Sequence, residues 1–412
     1  MKYIVVVGDG MADRPVQELG GKTPLQVAHK PNIDALAQKS RLGMVQTIPP
    51  NLPPGSDVGA LSILGYNPNQ FLTGRAPLEA AAYGLDLKPH EVAFRCNLVS
   101  LSADKAEFSP NTPNSPCMED YSAGNIGTQE AKVLIECLQQ NLGNEEFQFY
   151  PGVGYRHLMV WKGGNLQLAC TPPHDIPNQA IGSHLPEGPA AQKLWSLMTQ
   201  AAALLAKHPV NEKRKLQGQK SANSIWFWGQ GTRPQMPSFQ EKYGLSGCLV
   251  SAVDLAKGIG RLLGLEVLKV PGLTGYLDTN YLGKVQHAMA ALKEADFAYI
   301  HVEAPDEAGH KGKTDDKVKA IEDLDEFVMA EVLRQVEALE LGDFRLLFLP
   351  DHATPVSMKV HTSEAVPFLL FDSRASFPSP YPQYDELISQ IQPGLLIENG
   401  FQLMPMFLEK KF

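Results

Sequence analysis

The sequence predicts an α/β protein whose core is a mostly parallel sheet with helices on both faces, together with an inserted α+β domain. Three observations lead to this prediction. At 412 residues the chain is too long for one ordinary domain. Short apolar runs alternate with helical patterns in the first and last parts of the chain. The middle part is different, because it is richer in turn residues.

Four short apolar runs rich in β-branched residues are the predicted strands of the core sheet. Runs of this length, bounded by turn residues, are typical of parallel strands that are covered on both faces. They are YIVVV (3–7), FAYIHV (297–302), RLLFLP (345–350) and VPFLLF (366–371).

Helical patterns lie between these runs. The segments PNIDALAQKS (31–40) and SAVDLAKGIGRLLG (251–264) are two candidates, and a long charged segment over 317–340 is a third. Apolar residues recur at helical spacing on one face of the long segment, which predicts an amphipathic helix there.

Residues 92–238 are predicted to form the inserted domain, which leaves a discontinuous core of residues 1–91 and 239–412. Strand-like pieces such as VAFRCNLVSL, RHLMVWKG and SIWFWG alternate there with candidate helices and turn-rich stretches such as TPPHDIPNQAIG. The boundary stretches LKPHEV and GTRPQMPSFQEKYG contain Pro or Gly, as linkers commonly do.

Composition and charge narrow the possible functions. The net charge of −9 gives no electrostatic reason to expect nucleic acid or an anionic membrane as partner. The five cysteines are scattered and include no Cys-x-x-Cys pair, a pattern typical of reduced thiols. The first apolar run is too short for a signal peptide, and no segment approaches a membrane span. We therefore expect a cytoplasmic globular protein, with its oligomeric state left open.

Aspartate and histidine residues fall where the predicted strands end or begin. In an open α/β sheet, ligands bind at the carboxyl ends of the strands, so these side chains are expected at one edge. A single Asp after a strand is more often a helix cap or turn residue, and only the combination predicts a metal site. A mixed Asp/His set suits manganese or zinc better than magnesium alone. The set comprises Asp9 after the first strand, Asp306 and His310 after the second, Asp351 and His352 after the third, and His361 before the last.

Ser56 follows a Pro-Pro-Gly stretch and precedes the helical segment DVGALSIL. One interpretation is an ordinary helix N-cap. The other is a hydroxyl nucleophile at the positive end of a helix, where backbone amides can hold a phosphate. A serine hydroxyl needs activation near neutral pH. Because no Ser-His-Asp spacing of the hydrolase type surrounds Ser56, activation by a metal is the economical explanation.

These residues match the metal and nucleophile pattern of the alkaline phosphatase superfamily. Longer motifs are similar to those of the archaeal-type cofactor-independent phosphoglycerate mutases within it. The likeness covers most of the chain and implies an alkaline-phosphatase-like core. The same branch includes relatives proposed to act as homoserine kinases, so the motifs are less decisive about substrate. The motifs are GDGMADRP, LGGKTPLQVAHKPNIDALA, PPGSDVGALSILGY, TGRAPLEAAAYG, FRCNLVS, VPGLTGYLDTNY and APDEAGHKG.

The resemblance implies a mechanism with two divalent ions, manganese being expected and zinc, magnesium or cobalt being alternatives, and without 2,3-bisphosphoglycerate. Metal-activated Ser56 would attack the phosphate of 3-phosphoglycerate, and the trapped glycerate would take the phosphoryl group back on its 2-hydroxyl. The inserted domain would close over the core and exclude water. The implied ligand sets are Asp306, His310 and His361 for one ion, and Asp9, Ser56, Asp351 and His352 for the other.

A small phosphorylated carboxylate substrate also requires cationic side chains. Arginine is suited to this, because its fork binds carboxylate and phosphate bidentately. The candidates are Arg75 in TGRAP, Arg156 in GYRHL and Arg214 in NEKRK. A solvated surface charge is the alternative, above all for Arg214.

Other functions remain open at this point. A P-loop kinase is disfavoured, because the near-matches at 20–23 and 312–314 have Val16 and Glu307 where the motif needs glycine. A homoserine kinase-like phosphotransferase with the same serine and metal site is the closest alternative. A phosphatase or nuclease of the superfamily would use water as acceptor, and a metal-stabilised binding protein would have no need of Ser56.

Overall fold

The computed structural model describes residues 1–102, 108–109, 115–378, 381–391 and 395–409. The chain divides into two compact units, the first formed by Met1–Leu72 with Gln235–Phe412 and the second by Thr73–Pro234. The first boundary therefore falls after Leu72, whereas the sequence predicted it after residue 91. The reason is that the helix at Arg75–Ala82 packs on strands of the second unit. The second boundary differs from the prediction by only a few residues.

The described residues form thirteen strands. In chain order they are β1 (Lys2–Gly8), β2 (Arg41–Val45), β3 (Glu91–Leu101), β4 (Met118–Asp120), β5 (Phe147–Tyr150), β6 (Arg156–Lys162), β7 (Ser224–Gly231), β8 (Gly247–Val250), β9 (Glu266–Val267), β10 (Phe297–Val302), β11 (Phe344–Leu349), β12 (Val366–Asp372) and β13 (Leu396–Ile397).

Sixteen α-helices are present in the same residues. In chain order they are α1 (Pro24–Val27), α2 (Pro31–Ala37), α3 (Ser56–Ile63), α4 (Pro68–Phe71), α5 (Arg75–Ala82), α6 (Thr128–Leu142), α7 (Ala191–Leu205), α8 (Pro209–Leu216), α9 (Phe239–Tyr243), α10 (Asp254–Leu262), α11 (Tyr281–Ala291), α12 (Ala304–Lys311), α13 (Thr314–Asp323), α14 (Ala330–Ala338), α15 (Ile388–Ile391) and α16 (Leu403–Leu408).

The first unit is built on a sheet of eight strands in the order β13-β2-β12-β11-β1-β10-β8-β9. All pairings are parallel except those of β12, which runs antiparallel to both of its neighbours. Ile4 and Val6 of β1 pack in a core cluster on one face, and Val5 and Val7 on the other face are equally buried. Burial on both faces explains the continuous apolar run. The predicted α/β class and mostly parallel sheet are confirmed.

The strand register places the site residues at one edge of this sheet. Val7 of β1 lies opposite His301 of β10 and Leu349 of β11, so these three parallel strands end at the same level. The segments that follow them therefore leave from one edge. Because β12 is antiparallel, its first residues also lie at this edge, and the segment before it arrives there. The sequence predicted this strand but not its direction.

The predicted helix over 317–340 is interrupted in the structure. It consists of α13, a π-helical stretch at Leu324–Met329, and α14. The carboxylate of Asp325, in the π-helical stretch, accepts hydrogen bonds from the backbone amides of Asn32 and Ile33 in the first turn of α2. The π-helical stretch thus supplies the cap that α2 needs at its N-terminus.

The second unit is an antiparallel sheet with helices. Strand β3 pairs with β4, β6 and β7, and β5 pairs with β6. Helices α6 and α7 pack on this sheet and complete its core. The predicted strands at 92–101, 156–163 and 224–229 correspond to β3, β6 and β7. None of the helices in the described parts of either unit is long and apolar enough to cross a membrane.

Candidate active site

Asp9 and Gly10 form the turn that follows β1. The amide of Gly10 donates a hydrogen bond to Asp351 Oδ1 at 3.1 Å. Gly10 has φ +57°, and a Cβ atom at this position would lie 2.4 Å from Asp306 Oδ1 and 2.5 Å from Thr354 Oγ1. Only glycine permits this conformation and this close approach without strain. The turn therefore brings the loops after β10 and β11 against Asp9.

Ser56 is the first residue of α3, directly after Gly55. Its Oγ atom lies 3.3 Å from Asp9 Oδ1, 3.4 Å from Asp9 Oδ2 and 3.3 Å from His352 Nε2. The side chain of Ser56 is therefore directed toward the predicted ligand set, and the helix N-terminus adds a partial positive charge beside it.

Asp306 and His310 lie one turn apart on α12 and therefore share a face of the helix. His310 Nε2 is 3.3 Å from Asp306 Oδ2 and 2.8 Å from His361 Nε2. His361 Nε2 is in turn 3.4 Å from Asp306 Oδ1. The three residues predicted as one ligand set thus converge on a common centre.

The remaining predicted ligands complete a second centre beside the first. Within the described residues, Asp9, Asp351 and His352 form one group whose ligand atoms all lie within 4.8 Å of one another, and Asp306, His352 and His361 form another. His352 belongs to both groups, whereas the division implied by the family resemblance assigned it to one. The fold therefore brings all seven predicted residues together, with His352 between the two centres.

The electrostatics of Asp9 indicate a need for positive charge. Burial and the neighbouring carboxylates of Asp351 and Asp306 raise the pKa of Asp9 well above its ordinary value. Burial also lowers the pKa of His352, although the charge of Asp351 opposes this effect. The lowered pKa favours the neutral imidazole of His352, which is the form that binds metal ions.

Asp306 is in the opposite situation. Burial opposes its ionisation, but hydrogen bonds from His310 and His361 outweigh burial and hold the pKa of Asp306 well below its usual range. The hydrogen bond to Asp306 likewise raises the pKa of His310 to about 9. The neighbouring imidazoles thus compensate the negative charge of Asp306, a role that a bound cation could also fill.

Comparison with known proteins identifies the family. Residues 37–211 match the family model described as 2,3-bisphosphoglycerate-independent phosphoglycerate mutase. A protein of Geobacter sulfurreducens named as a probable 2,3-bisphosphoglycerate-independent phosphoglycerate mutase is 50% identical over 410 residues, covering 100% of both chains. The chain belongs to this family. The mutase of Methanosarcina acetivorans is 47% identical over 94% of each chain. The solved PH0037 protein of Pyrococcus horikoshii superposes with a TM-score of 0.80 at 28% identity, covering 100% of this chain and 98% of the other.

The donor set of this family member fits divalent cations. Asp351 Oδ2 and His301 Nε2 are buried and have no hydrogen-bond partner within the described part of the chain. A buried polar atom without a partner is costly, and an ion beside Asp351 would provide one. Carboxylate oxygens mixed with imidazole nitrogens suit manganese or zinc.

Behind Asp9 lies a buried polar network, most of which the sequence reasoning missed. His301, in β10, places Nε2 3.4 Å from Asp9 Oδ2 and Nδ1 3.3 Å from Glu303 Oε1. Glu303 forms an ion pair with Lys284, whose side chain is fully buried. The sequence HVE could have indicated this network, because one ionisable residue lies within an apolar strand and another directly follows it.

The second unit holds a group of arginines that includes two of the predicted ones. Burial lowers the pKa of Arg95, Glu79 opposes this, and the nearby charges of Arg75 and Arg156 lower it further. Arg95 also forms an ion pair with Glu79 at 2.8 Å and lies over the ring of Trp228. Arg75 and Arg95 both approach Gly229, where a Cβ atom would lie 3.3 Å from Arg95 Cδ and 3.8 Å from Arg75 Cβ. Arg95 was missed, although it lies within the motif FRCNLVS.

Arg214 has different surroundings in the same unit. It is only 3% exposed, and its guanidinium pairs with Glu130 at 2.6 Å and donates to the carbonyl oxygens of Ala123 and Lys220. These contacts favour a structural role for Arg214 over the predicted substrate-binding role, because its guanidinium N–H groups already donate to a carboxylate and to carbonyl oxygens of the second unit.

Proposed function

We propose that this chain interconverts 3-phosphoglycerate and 2-phosphoglycerate through a phosphoserine at Ser56. The observation that carries the proposal is the position of Ser56 Oγ, which lies within 3.4 Å of both Asp9 and His352. Membership of the phosphoglycerate mutase family supports the choice of substrate. The absence of a need for 2,3-bisphosphoglycerate follows from the same membership.

Two divalent ions are proposed to be held by the seven residues of the two centres. Asp306, His310 and His361 would hold one ion; the residues proposed to hold the other are Asp9, Ser56, Asp351 and His352. Bound ions would polarise the phosphate and favour ionisation of the hydroxyl. Manganese remains the expected metal, with zinc, magnesium and cobalt as alternatives.

The chain's own groups account for the steps of the transfer. Ser56 Oγ forms a bond to the phosphorus as the bond to the substrate's 3-oxygen breaks. The Ser56 proton passes to the carboxylate of Asp9, which lies within 3.4 Å, and from there to the departing 3-oxygen, which becomes the 3-hydroxyl of glycerate. The positive end of α3 stabilises the negative charge of the phosphoryl group. In the second half of the reaction the 2-hydroxyl of glycerate attacks the phosphoserine, and Ser56 is regenerated.

The arginine group of the second unit is proposed to bind the carboxylate or phosphate of the substrate. Arg75 and Arg156 are the proposed contacts, and Arg95 is the neighbouring arginine that is held by Glu79. The predicted closure of residues 92–238 over the core remains a prediction. A cytoplasmic location also remains a prediction, and it rests on five cysteines that are all free thiols.

The test is conversion of 3-phosphoglycerate to 2-phosphoglycerate by Mn²⁺-loaded protein without added bisphosphoglycerate. Ser56→Ala should lower kcat by roughly four orders of magnitude or more, as removal of a nucleophile does in other enzymes. Ser62→Ala is the matched control. Ser62 lies on the same helix, is buried, and its hydroxyl has no hydrogen-bond partner among the described residues.

Parallel assays separate the alternatives. Phosphorylation of homoserine by ATP without mutase activity would favour the kinase, and release of inorganic phosphate from 3-phosphoglycerate would favour the phosphatase. Mass spectrometry of acid-quenched protein should find phosphoserine at residue 56. Full mutase activity in Ser56→Ala would refute the proposed nucleophile.

A further inference from the structure

Thr354 lies between the two proposed ion centres. It follows β11 and Asp351-His352 in the chain, and it is fully buried. Its hydroxyl donates a hydrogen bond to Asp306 Oδ1 and lies 3.2 Å from His352 Nδ1. One hydroxyl thus contacts a predicted ligand of the first ion and a predicted ligand of the second.

The chemistry of its two partners determines the direction in which the Thr354 hydroxyl donates its hydrogen bond. The carboxylate of Asp306 can only accept, so the single hydroxyl proton of Thr354 is directed to it. The oxygen of Thr354 is then available as an acceptor toward His352 Nδ1, 3.2 Å away, and this contact favours the tautomer that carries its proton on Nδ1; the imidazole also has a hydrogen bond with the backbone of Ala353. Nε2 is left with a free lone pair, and it is the nitrogen that lies 3.3 Å from Ser56 Oγ and 3.4 Å from Asp9 Oδ1.

The backbone of Thr354 is fixed from the opposite side. Its amide donates to Ala12 O at 3.2 Å, and the fully buried ammonium of Lys317 donates to Thr354 O at 2.8 Å and to Ala12 O at 3.1 Å. The methyl group of Thr354 faces Gly309, where a Cβ would lie 2.8 Å from it. The hydroxyl therefore has a fixed position, as a group that orients ligands requires.

We propose that Thr354 is a positioning residue that links the two ion centres by holding Asp306 and by fixing the tautomer of His352. The proposal rests on the proposed function, since it takes these two residues to be ion ligands. It assigns the hydroxyl, rather than the methyl group, as the part of Thr354 that determines ion binding.

The test measures Mn²⁺ binding to metal-free protein by isothermal titration. Thr354→Val keeps the shape of the side chain and removes the hydroxyl, and it should weaken the binding of both ions by about 10- to 100-fold. Thr354→Ser loses only the methyl group and should bind Mn²⁺ within about 3-fold of the wild-type affinity. Thr354→Ser and Thr354→Ala form a second pair of variants that differ only in the hydroxyl. Comparing their Mn²⁺ affinities tests the same role if the valine variant does not fold.

His310→Gln is the control for an effect on one centre, because His310 Nε2 contacts Asp306 and His361, whereas Nδ1 lies 3.0 Å from the carbonyl oxygen of Lys359. This variant should bind one Mn²⁺ ion more weakly and the other with unchanged affinity. Wild-type affinity in the valine and alanine variants, or an equal loss in the serine variant, would overturn the role of the hydroxyl. Failure of the wild-type protein to bind any of Mn²⁺, Zn²⁺, Mg²⁺ or Co²⁺ would instead overturn the two-ion site of the proposed function.

Discussion

Replacing Lys284 with methionine should destabilise the first unit by about 3–5 kcal/mol, the usual cost of leaving one charge of a buried ion pair without its partner. Lys284 is fully buried on α11, and Glu303 is 2% exposed. The ammonium binds Glu303 Oε2 and also donates to His301 O at 2.6 Å. Methionine fills similar space, so the lost charge and not a cavity should dominate the effect.

Glu303 stays ionised in the wild-type protein, which is why the loss should be large. Burial alone would raise its pKa, but the charge of Lys284 and the hydrogen bond to His301 outweigh burial and hold the pKa far below its usual range. Without Lys284, Glu303 keeps the hydrogen bond from Ser251 Oγ at 2.9 Å but has lost its counter-ion. It must then stay buried as a poorly compensated carboxylate or take up a proton.

The assay is urea unfolding followed by far-UV circular dichroism, together with native-state hydrogen exchange of β10. All four tryptophans (Trp161, Trp195, Trp226 and Trp228) lie in the second unit, so their fluorescence reports on that unit instead. A loss of about 3 kcal/mol corresponds to exchange faster by about 100-fold in β10.

The double variant Lys284→Met, Glu303→Gln is the decisive control for this pair. It removes both charges, and it should recover at least half of the stability lost in the single variant. A loss below about 1 kcal/mol in the single variant, or an equal loss in both variants, would refute the assignment of the cost to an uncompensated charge.

Two further predictions concern a turn and a carboxyl group of the first unit. Gly10→Ala should weaken Mn²⁺ binding by at least about 10-fold in calorimetric titration, because the new Cβ would displace Asp306. Gly20→Ala has the same left-handed strain with no atom within 4 Å, so it should leave Mn²⁺ binding unchanged; equal affinity in both variants would contradict the steric argument. Burial raises the pKa of Glu386 from about 4.5 to about 7, so its contribution to stability is complete below pH 4.5 and is lost as the pH rises through 7. Urea titrations should show that the free energy of unfolding of the wild-type protein, measured relative to that of Glu386→Gln, falls by at most about 3 kcal/mol between about pH 4.5 and 7. A rise over the same pH interval would contradict the prediction.

Much of the first unit could be predicted from local sequence. The apolar runs located β1, β10, β11 and β12 to within one or two residues, because burial on both faces leaves a continuous apolar signature. The Asp and His residues were predicted from their positions at strand ends. The rule that ligands bind at the carboxyl ends of parallel strands was enough to gather them at one edge.

The sequence by itself thus determined the α/β class, the candidate nucleophile Ser56 and the seven proposed ligands, since each depends on residues that are near neighbours in the chain. Only the tertiary structure decided the direction of β12, the place of His352 between two centres, and the structural contacts of Arg214. It also revealed Thr354 and the buried pair of Lys284 and Glu303. These features depend on which distant segments pack together, and a single side chain in the sequence carries no mark of the buried partner that will satisfy it.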